Sequence, residues 1–199
     1  GKTTTAINLG AALAAYEQQT LLVDLDPQGN CTSGLGSEPG DGVPTSYEVL
    51  NGQCALAAAG RPTEFPHLSL VPTTPELAGA EVELVGMVGR EFRLREALAE
   101  RSGERFILVD CPPALGLLTI NALAAAAAVC RKKGLDVTLI EMADRILARV
   151  ACPETSAWFR ALHERHGVKV MEGIGLTCLN GVDGHVVGAI LSDMSEHPY

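Results

Sequence analysis

A chain of 199 residues, 47% of them hydrophobic, is long and apolar enough to bury a core, which excludes an intrinsically disordered protein. No apolar run is long enough to span a membrane and no charged-then-apolar leader is present, so we predict neither a membrane anchor nor a secretory signal. The net charge is −9, and residues 1–127 carry 7 Lys or Arg against 15 Asp or Glu, which argues against a nucleic-acid surface. We interpret the basic cluster at 131–133 as a solvated helix end.

The six cysteines are scattered along the chain without a CxxC pair. This spacing is typical of reduced thiols in a cytoplasmic protein, and it favours neither a disulfide framework nor a zinc site. We therefore expect a cytoplasmic protein with free thiols.

The first thirty residues contain a predicted helix, a predicted strand and two carboxylates. Small and apolar residues at helical spacing predict a helix over 3–15, and the continuous apolar run at 20–25 predicts a strand buried on both faces. Asp24 and Asp26 lie at the C-terminal end of that strand, where open α/β sheets bind ligands. Gly1, Lys2 and Thr3 match the end of a phosphate-binding loop, so we expect the chain to be a piece of a longer protein.

The rest of the chain alternates between helical and strand patterns. A loop is predicted at 29–45, helices at 46–59 (with Ser46 as N-cap), 75–88, 90–100, 117–133 and 153–166, and strands at 68–71, 106–110, 137–141, 168–171, 175–179 and 186–192. The alternation up to residue 141 predicts an α/β fold with a P-loop or Rossmann-like parallel sheet flanked by helices. A turn at 181–184 predicts a small C-terminal β-hairpin region.

Three parts of this sheet should meet at one edge. In a parallel sheet, the helix start at Lys2 and Thr3 lies beside the strand ends at Asp26 and Asp110. Phosphoryl transfer needs a lysine on the phosphates, a hydroxyl and a carboxylate around Mg²⁺, and a group that orients water. These residues offer one candidate for each role.

Four stretches of the chain resemble the ParA/Soj-type partition ATPases, which carry a deviant Walker A motif. They are GKTTTAINL (1–9), LVDLDPQGNCTSGLG (22–36), LAGAE (77–81) and VDCPPALGLLTINAL (109–123). The resemblance covers residues 1 to about 127, and it implies a truncated ATPase module of chromosome or plasmid partition, because the family's loop start and C-terminal third are missing.

The resemblance also implies roles for individual residues. Gly1, Lys2, Thr3 and Thr4 would bind the nucleotide, with Lys2 on the β- and γ-phosphates as a catalytic residue. Thr3 would bind Mg²⁺, Asp110 would hold it through water, and Asp26 would orient the attacking water; residues 112–116 would form a switch region. The implied cofactor is Mg²⁺ with ATP. The implied partners are a second copy in an ATP-dependent homodimer and a ParB-type protein. We expect no DNA binding, because the basic C-terminal part is absent.

After about residue 127 the resemblance changes. AVCRKKGLDVTLIE (128–141), RILARV (145–150) and GHVVGA (184–189) resemble the NAD-binding domain of FAD-dependent ferredoxin reductases. In that family Glu141 would hold the NAD ribose, but positions 118–123, where the GxGxxG loop belongs, contain no glycine. We therefore expect neither NAD nor FAD to bind, and a colourless protein.

The chain thus reads as a chimera, with a ParA-like module at 1–127 and a reductase-like part at 128–199. The join falls inside a predicted helix, so strand 106–110, helix 117–133 and strand 137–141 should form one βαβ unit. Two alternatives to the ATPase interpretation stay open: a fragment of an NAD(P)H-dependent FAD ferredoxin reductase, and a non-catalytic product of a fusion or a sequence-assembly error.

Overall fold

A computed structural model describes residues 2–40, 42–99, 103–112, 116–132, 137–146, 148, 152–165, 167–182 and 185–198. The helices are α1 (Lys2–Ala15), α2 (Asn30–Gly34), α3 (Ser46–Leu50), α4 (Leu56–Ala59), α5 (Leu77–Glu83), α6 (Arg93–Ala99), α7 (Leu117–Lys132) and α8 (Pro153–Arg165). The strands are β1 (Thr20–Asp24), β2 (Arg61–Pro62), β3 (Leu68–Val71), β4 (Phe106–Asp110), β5 (Val137–Glu141), β6 (Val168–Glu172), β7 (Leu176–Val182), β8 (His185–Leu191) and β9 (Glu196–Pro198). None of the helices in these ranges is long and apolar enough to cross a bilayer.

The chain divides into two compact units, Gly1–Val129 and Cys130–Tyr199. The first contains a four-stranded sheet in the order β2-β3-β1-β4, in which β1 is parallel to both β3 and β4 and only β2 is antiparallel. All five residues of β1 are buried, as its continuous apolar run predicts. The predicted α/β class with a parallel sheet and flanking helices is confirmed.

The central strand supplies both faces of the core, because successive side chains of a strand point to opposite sides. Leu21 and Val23 pack in one cluster with residues of the helices between 46 and 125, whereas Leu22 packs in a second cluster with Leu68 and Leu70. Helix α1 lies on the side of this second cluster, where Ala6 and Ile7 touch it. The helix that carries the candidate phosphate-binding residues is thus seated directly on the sheet.

Gly10 permits this close seating of α1. A β-carbon at this position would lie 3.3 Å from Leu68 Cδ1, 3.5 Å from Leu108 Cδ1 and 3.6 Å from Leu22 Cδ1. A larger side chain would therefore push the helix away from the strands that fix its position.

We expect Gly10→Val to lower the free energy of unfolding by about 2 kcal/mol, because overpacking a filled core costs roughly 1–3 kcal/mol. Urea denaturation followed by circular dichroism measures the effect. Gly79→Val is the matched control, since a β-carbon at that helical glycine would meet only Glu83 Oε1, at 3.9 Å. Equal stability of the two variants would contradict the close approach at Gly10.

Three predictions in the region 29–59 are wrong. The predicted loop at 29–45 contains α2, which follows Gly29 in the left-handed conformation (φ 62°) and buries Cys31 and Thr32. The predicted helix at 46–59 is two short helices, α3 and α4. The N-cap of α3 is Thr45 rather than Ser46, because Thr45 and Glu48 form a capping box, in which Tyr47 N donates to Thr45 Oγ1 and Thr45 N donates to Glu48 Oε2.

The strands predicted at 68–71 and 106–110 are confirmed with those bounds as β3 and β4, and the next two predicted helices are confirmed in shorter form. The helices expected at 75–88 and 90–100 consist of α5 and α6, each with a neighbouring 3₁₀ turn, at Leu84–Gly86 and Arg90–Phe92. The short edge strand β2 is absent from the sequence prediction, because it is only two residues long and contains a proline.

In its described residues, the second unit contains two separate sheets. Strands β5 and β6 form a parallel pair joined through α8, and β7, β8 and β9 form an antiparallel sheet. The C-terminal hairpin is confirmed, although its turn at 183–184 lies outside the described residues. The predicted βαβ unit through α7 is wrong, because β4 and β5 belong to different sheets. Strand β5 pairs instead with β6, and α8 connects these two strands.

Candidate active site

The start of α1 lies next to the segment that follows β4. Lys2, Thr3 and Thr4 open this 14-residue helix, and Lys2 Nζ donates a hydrogen bond to Pro112 O at 3.2 Å. The first N–H groups of a helix have no partner within the helix, and its dipole attracts anions there. Gly1 lies outside the described residues, as does 113–115 of the predicted switch region. The helix start is therefore suited to a phosphate, with the Lys2 ammonium within reach.

Strands β1 and β4 end side by side, and each ends in an aspartate. Asp24 and Asp110 are partners in the register, and Leu25 N donates to Asp110 O at 2.8 Å. Asp24 is 0%, Asp26 8% and Asp110 2% exposed. Burying three carboxylates at one edge is unfavourable unless hydrogen bonds, nearby cations or protonation compensate for the lost water.

The cost of burying the Asp110 carboxylate is only partly offset by its interactions with the protein. Burial raises the pKa of Asp110, while a hydrogen bond with the Thr3 side chain and the charge of Lys2 oppose that rise and the charge of Asp26 adds to it. Its Oδ2 is buried and accepts no hydrogen bond from the residues that the structure describes. An unpartnered carboxylate oxygen beside a threonine hydroxyl is a donor set that suits Mg²⁺.

The described residues do not supply a complete set of ligands for such a cation. No group of three or more His, Cys, Asp or Glu in the described ranges could hold a metal ion. Mg²⁺ in phosphate-binding sites is usually held by one or two protein oxygens, with phosphate and water supplying the rest. Thr3 and Asp110 fit that pattern.

Both carboxylate oxygens of Asp24 accept hydrogen bonds from protein groups. Its Oδ1 accepts from Asp26 N at 3.1 Å, and its Oδ2 accepts from Thr32 N at 2.8 Å and Thr32 Oγ1 at 2.7 Å. Burial raises the pKa of Asp24 to about 6, although these hydrogen bonds oppose the rise. Both carboxylate oxygens are thus occupied, which distinguishes Asp24 from Asp110.

Asp26 begins the turn that leads into α2. Its Oδ1 accepts from Gln28 N at 3.0 Å, and its carbonyl oxygen accepts from Gly29 N at 2.9 Å. The side chain retains a little exposure at the edge where Lys2, Thr3 and Asp110 lie. The structure therefore brings Lys2, Thr3, Asp26 and Asp110 together at one edge, while their chemical roles stay predictions.

Sequence reasoning missed two contributors to this edge. Thr32, in a segment predicted as loop, is buried against Asp24, and the Pro112 carbonyl oxygen accepts from Lys2. Only Thr32 had a sequence signal, since its hydroxyl lies six residues beyond Asp26 in a stretch rich in small polar residues.

Two thiols lie close to the carboxylates but are poor nucleophiles. Burial raises the pKa of Cys31 strongly and that of Cys111 to about 12, with Asp110 adding to both effects. The reactive form of cysteine is the thiolate, so both side chains stay protonated at neutral pH. Cysteines 31, 54, 111, 152 and 178 are all free, as expected for reduced thiols.

Glu141 lies at the end of β5, opposite Glu172 of β6. Its Oε1 accepts from Ala143 N at 2.9 Å, so its carboxylate caps the turn that follows the strand. Positions 118–123 lie inside α7. That Glu141 holds a ribose, and that neither NAD nor FAD binds, stay predictions.

We expect the buried Asp24 carboxyl to make stability depend on pH. Its folded-state pKa of about 6 lies above the ordinary 3.8, so the folded chain binds this proton more tightly than the unfolded chain. This contribution is complete below pH 4 and is lost as the pH rises through 6, by up to about 3 kcal/mol. Urea denaturation should show that, from pH 4 to 7, the free energy of unfolding of the wild type falls by up to that amount relative to the free energy of unfolding of Asp24→Asn. A difference that is constant with pH would contradict the assignment.

Comparisons with known proteins divide the chain in the same way as its sequence. Residues 1–133 match the family described as AAA domain, and residues 122–199 match the family described as pyridine nucleotide-disulphide oxidoreductase. The chain is 56% identical over 130 residues to the chromosome partitioning protein ParA of Myxococcus xanthus, covering 65% of this chain and 46% of that protein. It is 49% identical over 130 residues to the sporulation initiation inhibitor protein Soj of Bacillus subtilis, covering 65% and 51%. The change of resemblance along the chain is confirmed.

The solved structures agree on the fold. Cobyrinic acid a,c-diamide synthase from Mycobacterium smegmatis, solved with bound ADP and magnesium, superimposes with a TM-score of 0.65 at 35% sequence identity, covering 85% of this chain and 66% of that chain. The chain spans about half the length of the curated relatives that it matches.

Proposed function

The chain belongs to the family described as AAA domain, which matches residues 1–133, and from this premise we propose that its first unit binds Mg²⁺-ATP and hydrolyses it. The observation that carries the proposal is the buried, unpartnered Oδ2 of Asp110 beside Thr3 and Lys2, at the start of a long helix. A site with these groups supplies both a place for phosphate and protein oxygens for a cation.

Each residue at this edge has a distinct task in the proposed reaction. Lys2 and the first N–H groups of α1 hold the β- and γ-phosphates, and Thr4 borders them. Thr3 and Asp110 hold the magnesium ion, which neutralises charge on the phosphates when bound. The Asp26 carboxylate accepts a hydrogen bond from the attacking water and orients it along the line of displacement.

The biological setting is part of the same proposal. The similarity to ParA of Myxococcus xanthus and Soj of Bacillus subtilis supports a role in chromosome or plasmid partition in the cytoplasm. In that role the chain would form an ATP-dependent homodimer and meet a ParB-type partner. The acidic balance of residues 1–127 argues against direct DNA binding by this part of the chain.

Nucleotide titration tests the proposal directly. A fluorescent ATP analogue should bind the purified chain with Mg²⁺ present and bind more weakly with EDTA, and phosphate release should follow with unlabelled ATP. NADH is the comparison ligand, detected by its own fluorescence. Binding of NADH without binding of ATP would overturn the ATPase proposal.

A second candidate function rests on the match of residues 122–199 to the pyridine nucleotide-disulphide oxidoreductase family. This would make the chain a piece of an NAD(P)H-dependent FAD ferredoxin reductase, with Glu141 on the NAD ribose. Flavin absorbance of the purified protein, together with NADH binding that is lost in Glu141→Ala, would favour it. A colourless protein is expected under the ATPase proposal.

A further inference from the structure

Asp24 and Asp26 are two residues apart, yet the structure gives them different surroundings. The Asp24 carboxylate accepts three hydrogen bonds from protein donors, whereas Asp26 Oδ1 accepts one, from the Gln28 N–H in its own turn. A carboxylate whose two oxygens are already bonded inside the protein is poorly placed to contact a substrate.

The hydrogen bonds of Asp24 continue into a buried chain. Thr73 N donates to Thr32 Oγ1 at 3.0 Å, and that hydroxyl donates to Asp24 Oδ2 at 2.7 Å. The other oxygen of Asp24 accepts from Asp26 N at 3.1 Å. All three side chains of this chain of hydrogen bonds are at most 3% exposed, so water does not compete for them.

This arrangement connects the turn that carries Asp26 to the sheet. Thr73 follows β3, the strand that pairs with β1, and Thr32 lies in the middle of α2. Helix α2 has five residues, too few to be stable alone, so its position depends on such contacts. The backbone of Asp26 is thereby held by Asp24 at the end of β1, and Asp24 is in turn connected through Thr32 to α2 and to Thr73 after β3.

We propose that the relay from Thr73 through Thr32 to Asp24 positions Asp26 for hydrolysis, so that Asp24 is a positioning residue and not a catalytic one. The proposal rests on the proposed ATPase function. It explains why Asp24 is buried with hydrogen bonds to both carboxylate oxygens, while Asp26 keeps some exposure. A shift of about 1 Å in a group that orients a reactant lowers a rate by up to about a hundredfold.

Thr32 offers a cleaner test than Asp24, because replacing a buried carboxylate can unfold the chain. Thr32→Val removes one hydroxyl and keeps the shape of the side chain, and Thr32→Ser restores a hydroxyl that can both donate and accept. Thr138→Val, on an exposed position of β5, is the matched control.

In Thr32→Val we expect kcat for ATP hydrolysis to fall about tenfold with KM within about twofold, since a positioning defect acts on the transition state. Amide exchange at Thr73 and Asp26 should accelerate about tenfold, because a buried hydrogen bond is lost. Thr32→Ser should recover both readouts, and Thr138→Val should change neither.

The outcomes separate the two proposals. A wild-type chain that hydrolyses no ATP overturns the ATPase function and the relay with it. A wild-type chain that hydrolyses ATP, with an unchanged kcat in Thr32→Val, overturns the relay alone. A Thr32→Ser variant as slow as Thr32→Val also overturns it, because the hydroxyl would then not be the group that matters.

Discussion

Asp26→Asn should lower the rate constant of ATP hydrolysis at least a hundredfold and leave the affinity for Mg²⁺-ATP within about threefold, because an amide orients water poorly and accepts no proton. The substitution keeps the size of the side chain and the carbonyl oxygen that can accept from Gln28 N. Phosphate release at saturating ATP measures the rate, and a fluorescent ATP analogue measures the affinity.

Asp144→Asn is the control for that experiment, since Asp144 is exposed and lies in the second unit. It should match the wild type in rate and affinity. If Asp26→Asn also hydrolyses ATP at the wild-type rate, another group must orient the water, and the role proposed for Asp26 is wrong.

Lys2→Ala should weaken the binding of Mg²⁺-ATP about thirtyfold, which corresponds to about 2 kcal/mol for a hydrogen bond to a charged group. The lysine is exposed and its Nζ contacts the Pro112 carbonyl oxygen, so it can turn towards a phosphate at small cost. Titration of the fluorescent ATP analogue measures the loss.

Lys169→Ala removes a similar exposed charge from β6 and should bind as the wild type does. Equal binding by Lys2→Ala and the wild type would overturn the ATPase proposal, because that proposal requires Lys2 to contact the phosphates. Lys2→Arg should lie between the two, because it keeps the charge but presents a planar group in place of a compact ammonium.

The elements that could best be predicted from the sequence are those whose burial is visible in their own local pattern of apolar residues. The run Leu21-Leu22-Val23 predicts a strand buried on both faces, and β1 is that strand at the centre of its sheet. Helix α2 could not be predicted in this way, because Asn30-Cys31-Thr32-Ser33-Gly34 favours helix weakly. Its hydrogen bonds to Asp24 come from a tertiary contact that the local sequence does not show.

In the candidate site, too, some features follow from the local sequence and others only from tertiary contacts. The meeting of Lys2, Thr3, Asp26 and Asp110 follows from parallel pairing of β1 with β4, which the alternation of strands and helices predicts. The difference between Asp24 and Asp26 does not follow from their order in the chain. It depends on Thr32 and Thr73, which are 8 and 49 positions beyond Asp24 and reach it only through the fold.

The two borders of the four-stranded sheet differ in their risk of self-association. One border is β2, which has two residues and a proline and so offers little for another strand to pair with. The other is β4, whose sequence Phe106-Ile107-Leu108-Val109 is apolar and which pairs only with β1 among the described strands. An apolar strand that has a hydrogen-bonded partner on one side only, as β4 has within the described residues, is a template for strand addition, so we expect concentrated solutions to favour aggregation through β4.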